Sequence, residues 1–143
     1  MATTYTVDAS VFLNGFNPYE AGHEESRRLL ATLQEQAIPI IVPALLLPEV
    51  AAAVSRGRGD ADLARRFAST LRQLPHLILI PVDETLARQA ADLAAQHRLR
   101  GSDAVYAAVA LRFGSTLVTL DREQREQVAG VITTCSPGEA SAG

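Results

Sequence analysis

Apolar residues follow two habits along this chain: short runs that are β-prone or wholly apolar, and longer stretches where they recur every three or four positions. The short runs span residues 4–7, 38–42, 77–82, 116–120 and 131–134. They read as strands, and the uninterrupted apolar character of 38–42 and 77–82 is that of strands covered on both faces. The longer stretches predict helices. Residues 23–36 carry Leu29, Leu30 and Leu33 on one face, and residues 60–74 turn Leu63, Phe67, Leu71 and Leu74 inward with Arg65, Arg66 and Arg72 outward. Residues 84–97, capped by Asp83, present Leu86, Ala90, Leu93 and Ala94, and the helix after Gly101 presents Tyr106, Ala107, Ala110 and Leu111 before Gly114 stops it. A helix over 44–56 holds Pro48, which is tolerable only near a helix start. Residues 11–13 and 122–129 read as short helices, and 14–18 as a turn.

Strands separated by helices specify a parallel sheet inside a three-layer α/β/α sandwich. A length of 143 residues suits one core, so residues 1–135 are expected to form a single domain. The Ser, Pro, Gly, Glu and Ala of 136–143 read as a frayed tail.

Composition narrows the function. With a net charge of −3 and a pI near 5.6, no global basic field invites nucleic acid, so a polyanion must be held locally or through a metal. All 13 basic residues are Arg. The one cysteine, Cys135, excludes an internal disulfide, and with three scattered His it leaves no thiol-based zinc site, which points to a reducing cytoplasm. No basic segment followed by an apolar core marks a leader. The longest apolar run, 37–48, is too short to span a bilayer and is broken by Pro39, Pro43 and Pro48, so no membrane role is expected.

The candidate chemistry lies in four acids. Asp8 and Asp121 each follow a strand, Asp103 opens a helix, and Glu49 shares a helix face with Leu45, Ala52 and Ala53. Each Asp has a plain structural use, as a cap or as a dipole-complementing first-turn residue, and Asp121 with Gln124 fits a capping box. Glu49 does not, since no cap explains an acid in mid-helix on an apolar face. Ligands gather at the carboxyl ends of parallel strands, and all four acids can reach that edge together. Four like charges need a cation. Oxygen donors without His or Cys suit Mg²⁺ or Mn²⁺, and the matching chemistry is phosphodiester hydrolysis by metal-activated water. Ser10 and Thr119 are hydroxyls placed to support two of the acids.

The segments Val7-Asp8-Ala9-Ser10, Pro48-Glu49-Val50, Ser102-Asp103-Ala104-Val105-Tyr106-Ala107-Ala108 and Leu117-Val118-Thr119-Leu120-Asp121 together resemble the PIN-domain nucleases, most closely the VapC-like toxins of toxin–antitoxin pairs. The resemblance implies a PIN-like fold and a Mg²⁺- or Mn²⁺-dependent endoribonuclease that cuts structured RNA such as transfer or ribosomal RNA. It further implies a homodimer silenced by a cognate antitoxin, with Asp8, Glu49, Asp103 and Asp121 as the catalytic metal site and Ser10 and Thr119 as its supports. The family often places an aromatic residue shortly after the last acid, where this chain has Arg122-Glu123-Gln124. Stacking platforms are few, with four Phe, three Tyr and no Trp, so Arg56, Arg58, Arg65, Arg66, Arg98 and Arg100 are the candidates for RNA backbone contacts. The alternatives are a PIN-type nuclease for housekeeping RNA or DNA processing and a non-catalytic interaction module on the same fold. A phosphatase-like enzyme finds no nucleophile elbow or Gly-rich phosphate loop in the sequence.

Overall fold

Three residues, Tyr5–Val7, form the strand at the middle of the molecule, β1. The computed structural model describes residues 3–142; Met1, Ala2 and Gly143, which the expected domain and tail include, lie outside the described residues. After β1 come α1 (Ala9–Phe16), α2 (His23–Glu35), β2 (Ile40–Pro43), α3 (Leu46–Arg58), α4 (Ala61–Arg72) and β3 (Leu77–Ile80). The chain continues through α5 (Glu84–His97), α6 (Gly101–Phe113), β4 (Thr116–Val118), α7 (Arg122–Val128), β5 (Thr134–Cys135) and α8 (Pro137–Ala142). The strands pair in the order β3-β2-β1-β4-β5, all parallel, within the expected α/β/α layering.

Parallel pairing requires crossovers, and the helices that supply them bury the sheet. Val7, Ile40, Val42, Leu117 and Val118 are fully buried on the three inner strands. Helix α6 lies along β1, β2 and β4 with α5 at its side, while α1 and α2 pair, as do α3 and α4. Pro48 is the third residue of α3, so its missing N–H falls among the donors that a first turn leaves free in any case. Asp60, Asp83 and Asp121 cap α4, α5 and α7 by accepting from Leu63, Leu86 and Gln124 backbone N–H groups.

The structure corrects several expectations. The stretch 77–82 reads as an interior strand, yet β3 is an edge: Ile78 is 45% exposed, and Val82 lies past the strand end. Leu111 is 49% exposed, because α6 is buried so broadly through Ala104, Tyr106, Ala107, Ala108, Val109 and Ala110 that a single stripe does not describe it. The last strand is Thr134–Cys135 instead of 131–134, with the chain still turning at Val131 and Ile132. The expected frayed tail contains α8, which lies against α2. Its start is a capping box: the Glu139 carboxylate accepts from Ser136 N (2.8 Å), Ser136 Oγ accepts from Glu139 N (3.2 Å), and Pro137 takes the first helical position.

Residues 14–16 read as turn but complete α1, and Asn14 explains the difference. It is fully buried, its Nδ2 donates to Glu20 Oε1 and Ala21 O, and its Oδ1 accepts from Ser26 Oγ at 2.6 Å. One amide thus fastens the loop that carries the chain into α2. Asn14→Ala is expected to cost about 1–3 kcal/mol, since it strands the fully buried Ser26 hydroxyl and releases the loop at Glu20 and Ala21. A chemical denaturation midpoint equal to wild type is the contrary result.

Candidate active site

The chain leaves β1 toward β2 on one side and meets β4 on the other, so the point where strand order reverses lies between β1 and β4. Crevices open at such points, beyond the strands' carboxyl ends. Asp8 follows β1 directly, and its backbone N–H extends the ladder by donating to Val118 O at 3.1 Å. Asp121 stands three residues past β4. Asp103 projects from the first turn of α6, and Glu49 from the first turn of α3 instead of from mid-helix as the sequence suggests, because α3 begins only at Leu46; an acid there complements the helix dipole. All four line one cleft of about 200 Å³ together with Ser10, Arg100, Ser102, Tyr106 and Gln124.

Asp8 is the deepest of them, at 7% exposure. It caps α1, its Oδ1 accepting from both Ser10 N (3.1 Å) and Ser10 Oγ (2.5 Å). Burial pushes its carboxyl up to about 6, against hydrogen bonds from Ser10 and Thr119 that favour the charged form, with the Asp103 charge adding to the rise. Ser10 Oγ also accepts from Leu120 N at 3.4 Å and so joins the first acid to the segment bearing the last. Thr119, fully buried, accepts from Asp121 N at 3.1 Å. Ser10 thus meets the Asp8 carboxylate, and Thr119 meets the Asp121 backbone.

Glu49 is half-buried and accepts from Tyr106 Oη at 2.7 Å. Burial raises its pKa, the Tyr106 bond opposes the rise, and the Asp103 charge adds to it. Burial likewise raises Asp103; Arg100 opposes this, and the Asp121 charge reinforces it. Tyr106, buried and facing Glu49, is held protonated far above the usual phenol range. The sequence placed Tyr106 only on an apolar face. Its hydroxyl role becomes legible once α3 and α6 are known to adjoin across the cleft.

Gln124 is the other residue that sequence reasoning missed. It is 2% exposed in the turn after the last acid, its Oε1 receives the Thr119 hydroxyl at 3.2 Å, and its Nε2 has no partner. A polar side chain thus fills the interior of the turn after the last acid.

Of the six candidate arginines, two border the acids. Arg100 lines the cleft, and Arg98 lines an adjoining recess with Arg100, Asp103 and Asp121. Arg56 and Arg58 sit at the far end of α3 from Glu49, with Arg58 over the Phe16 ring at 5.9 Å. Arg65 pairs with Asp62 on the exposed side of α4, and Arg66 lines a separate apolar recess with Phe16 and Phe67.

The donor set fits a hard divalent cation: every charged donor is a carboxylate oxygen, and three of the four have pKa values raised by burial and by one another. Among the described residues no three Asp, Glu, His or Cys side chains already converge as a metal cage. Mg²⁺ keeps several waters and takes one or two carboxylates directly, so an open cleft meets its demands better than a closed cage does.

Solved structures with a similar fold include Mycobacterium tuberculosis VapC20, a sarcin-ricin loop cleaving toxin, at 22% identity and TM-score 0.75, covering 90% of this chain and 97% of that one. FitAcB from Neisseria gonorrhoeae matches at 19% identity and TM-score 0.72, covering 94% and 98%. VapBC2 from Rickettsia felis, bound to a DNA fragment from its promoter, matches at 13% identity and TM-score 0.69, covering 94% and 98%. No curated protein matches the chain by sequence. The family model for the PIN domain matches residues 5–129, which spans every one of the four acids, and the chain belongs to the PIN domain family.

Proposed function

We propose that this protein is a Mg²⁺- or Mn²⁺-dependent endoribonuclease that acts as the toxin of a toxin–antitoxin pair and cuts structured RNA such as transfer or ribosomal RNA. The observation that carries the reading is the convergence of Asp8, Glu49, Asp103 and Asp121 on one cleft at the strand-order reversal of a PIN domain. A pure binding module has no use for a cleft in which burial and neighbouring charge oppose the ionised forms of Asp8, Glu49 and Asp103. Asp8, Asp103 and Asp121 would hold the ion, with Glu49 completing the set. A bound divalent ion supplies Lewis-acid charge for the phosphoryl oxygens and lowers the pKa of water. Ser10 fixes the Asp8 carboxylate by hydrogen bonds, Thr119 accepts from the Asp121 backbone N–H, and Tyr106 fixes Glu49. Arg98 and Arg100, at the cleft's edge, are placed for the RNA backbone.

The toxin assignment draws on the fold shared with VapBC and FitAB structures and with a toxin–antitoxin complex from Klebsiella pneumoniae. A cognate antitoxin is the proposed partner, its peptide laying an Arg among the acids as a bidentate fork, and a homodimer is the proposed assembly. In the test, purified protein is incubated with total RNA in Mg²⁺ or Mn²⁺ and the new 5′ ends are mapped. Cuts at a few defined positions in folded RNA, absent with chelator and absent in Asp121→Asn, are expected. Cleavage that survives chelation, or that occurs equally on duplex DNA, overturns the assignment. Housekeeping processing predicts instead that induced expression leaves growth untouched, whereas a toxin arrests it.

A further inference from the structure

We propose that Arg100 is a built-in counter-ion of the acid cleft, occupying oxygens that a divalent cation needs and thereby setting that cation's affinity. This role presupposes that the cleft takes a divalent cation. Arg100 Nε lies 3.4 Å from Asp103 Oδ2, and its Nη2 lies 3.2 Å from Asp121 Oδ2, so one guanidinium bridges acids from two different elements. Asp121 Oδ1 is already committed to Gln124 N at 3.1 Å. Its remaining oxygen is the one that Arg100 covers.

The placement serves the acids and not the helix. Arg100 is the N-cap residue of α6, where it makes no side-chain cap and where a cation opposes the helix dipole. The chain nevertheless delivers it there with some care. Arg98 ends α5 in the left-handed conformation (φ 57°), Leu99 is buried at 9% exposure, and Arg100 emerges extended at the mouth of the cleft. Its side chain is 80% exposed, so little besides the two carboxylates holds it. Asp103 and Asp121, if they hold a cation, would no longer be free for Arg100, whose exposed guanidinium would pass into solvent at small cost. Arg100 is therefore a competitor for the cleft: it occupies Asp103 and Asp121 before the ion arrives and yields to it afterwards.

Calorimetric titration of Mn²⁺ into the whole protein tests this in wild type, Arg100→Gln, Arg100→Lys and Arg122→Gln. Arg122 is a fitting control because it neighbours Asp121 in sequence but pairs with Glu126 at 2.9 Å. Arg100→Gln is expected to bind Mn²⁺ about two- to fivefold more tightly, the factor that an exposed ion pair sets. Arg100→Lys should fall between it and wild type, since a point charge cannot bridge both acids as a planar fork does. Arg122→Gln should match wild type. Unchanged or weaker binding in Arg100→Gln overturns the proposal while leaving the metal site standing, as does equal tightening in Arg122→Gln, which would mean that overall charge alone is at work. If wild type itself takes up no Mn²⁺, the metal-site reading falls and this role falls with it.

Discussion

Asp8→Asn is expected to lower RNA cleavage by at least about a hundredfold while raising the melting temperature of the metal-free protein at pH 7. The loss should exceed the 10–100-fold carried by outer-shell partners of a metal ligand, because the change deletes a ligand charge outright. The gain follows from what the substitution keeps. Asn caps a helix as well as Asp does, so the bonds from Ser10 N and Ser10 Oγ to Oδ1 survive. The buried charge does not survive. The folded state holds the Asp8 proton to about 6, against 3.8 for the unfolded chain, so the carboxyl destabilises the fold increasingly as pH rises from about 4 through 6. Above that window the penalty is complete, at roughly 3 kcal/mol. Melts from pH 4 to 8 without metal should slope downward for wild type and flatten for Asp8→Asn. Cleavage at the wild-type rate, or an undiminished slope, would contradict the assignment of this acid.

Phe12→Ala is expected to act through stability alone, costing about 3–5 kcal/mol and roughly 10–20 °C in Tm. Phe12 lies one turn past Asp8 on α1 and is 2% exposed within the main core. Its removal leaves a cavity that the sheet and α1 cannot fully close. Well below its lowered Tm the variant should cut RNA at nearly the wild-type rate, because the acids are fastened independently by Ser10, Thr119 and Tyr106. A selective loss of cleavage with unchanged Tm would show that α1 positions Asp8 more delicately than its cap suggests.

What the sequence disclosed and what it hid divide along physical lines. Strand runs and helical spacing are local properties, so β1, β2, α4 and α5 were legible, as were Asp83 as a cap and the acids at strand ends. Whether a strand is central or at an edge depends on pairing partners far along the chain, which is why Leu77–Ile80 read as interior. Leu111 was misplaced because a helix buried on most sides has no single apolar stripe to detect. Asn14 reads as a turn residue and Gln124 as the partner of Asp121 in a capping box, yet Asn14 is buried by partners that only the fold supplies, and the Gln124 side chain turns inward to Thr119 while the Thr119 hydroxyl takes the Asp121 N–H. The C-terminal helix was different, since Ser136-Pro137-Gly138-Glu139 spells a capping box and composition drew attention away from it. Glu49 stands out in the sequence as an acid amid apolar neighbours, although the buried face of α3 is Leu46, Val50 and Val54; its partner Tyr106 comes only from the fold.

The sheet order has a further consequence, in time. The middle strand finds one neighbour in β2 and the other only in β4, and the Thr4 to Ser115 hydrogen bond beside it joins residues 111 positions apart. Pairings so distant are slow to form, since the intervening chain must be confined before they return any stability. During synthesis at on the order of 5–20 residues per second, roughly 5–20 s separate the appearance of Asp8 from that of Asp121. A nascent chain on the ribosome therefore holds scattered acids and no cleft, and the centre is assembled only when nearly all of the domain has emerged.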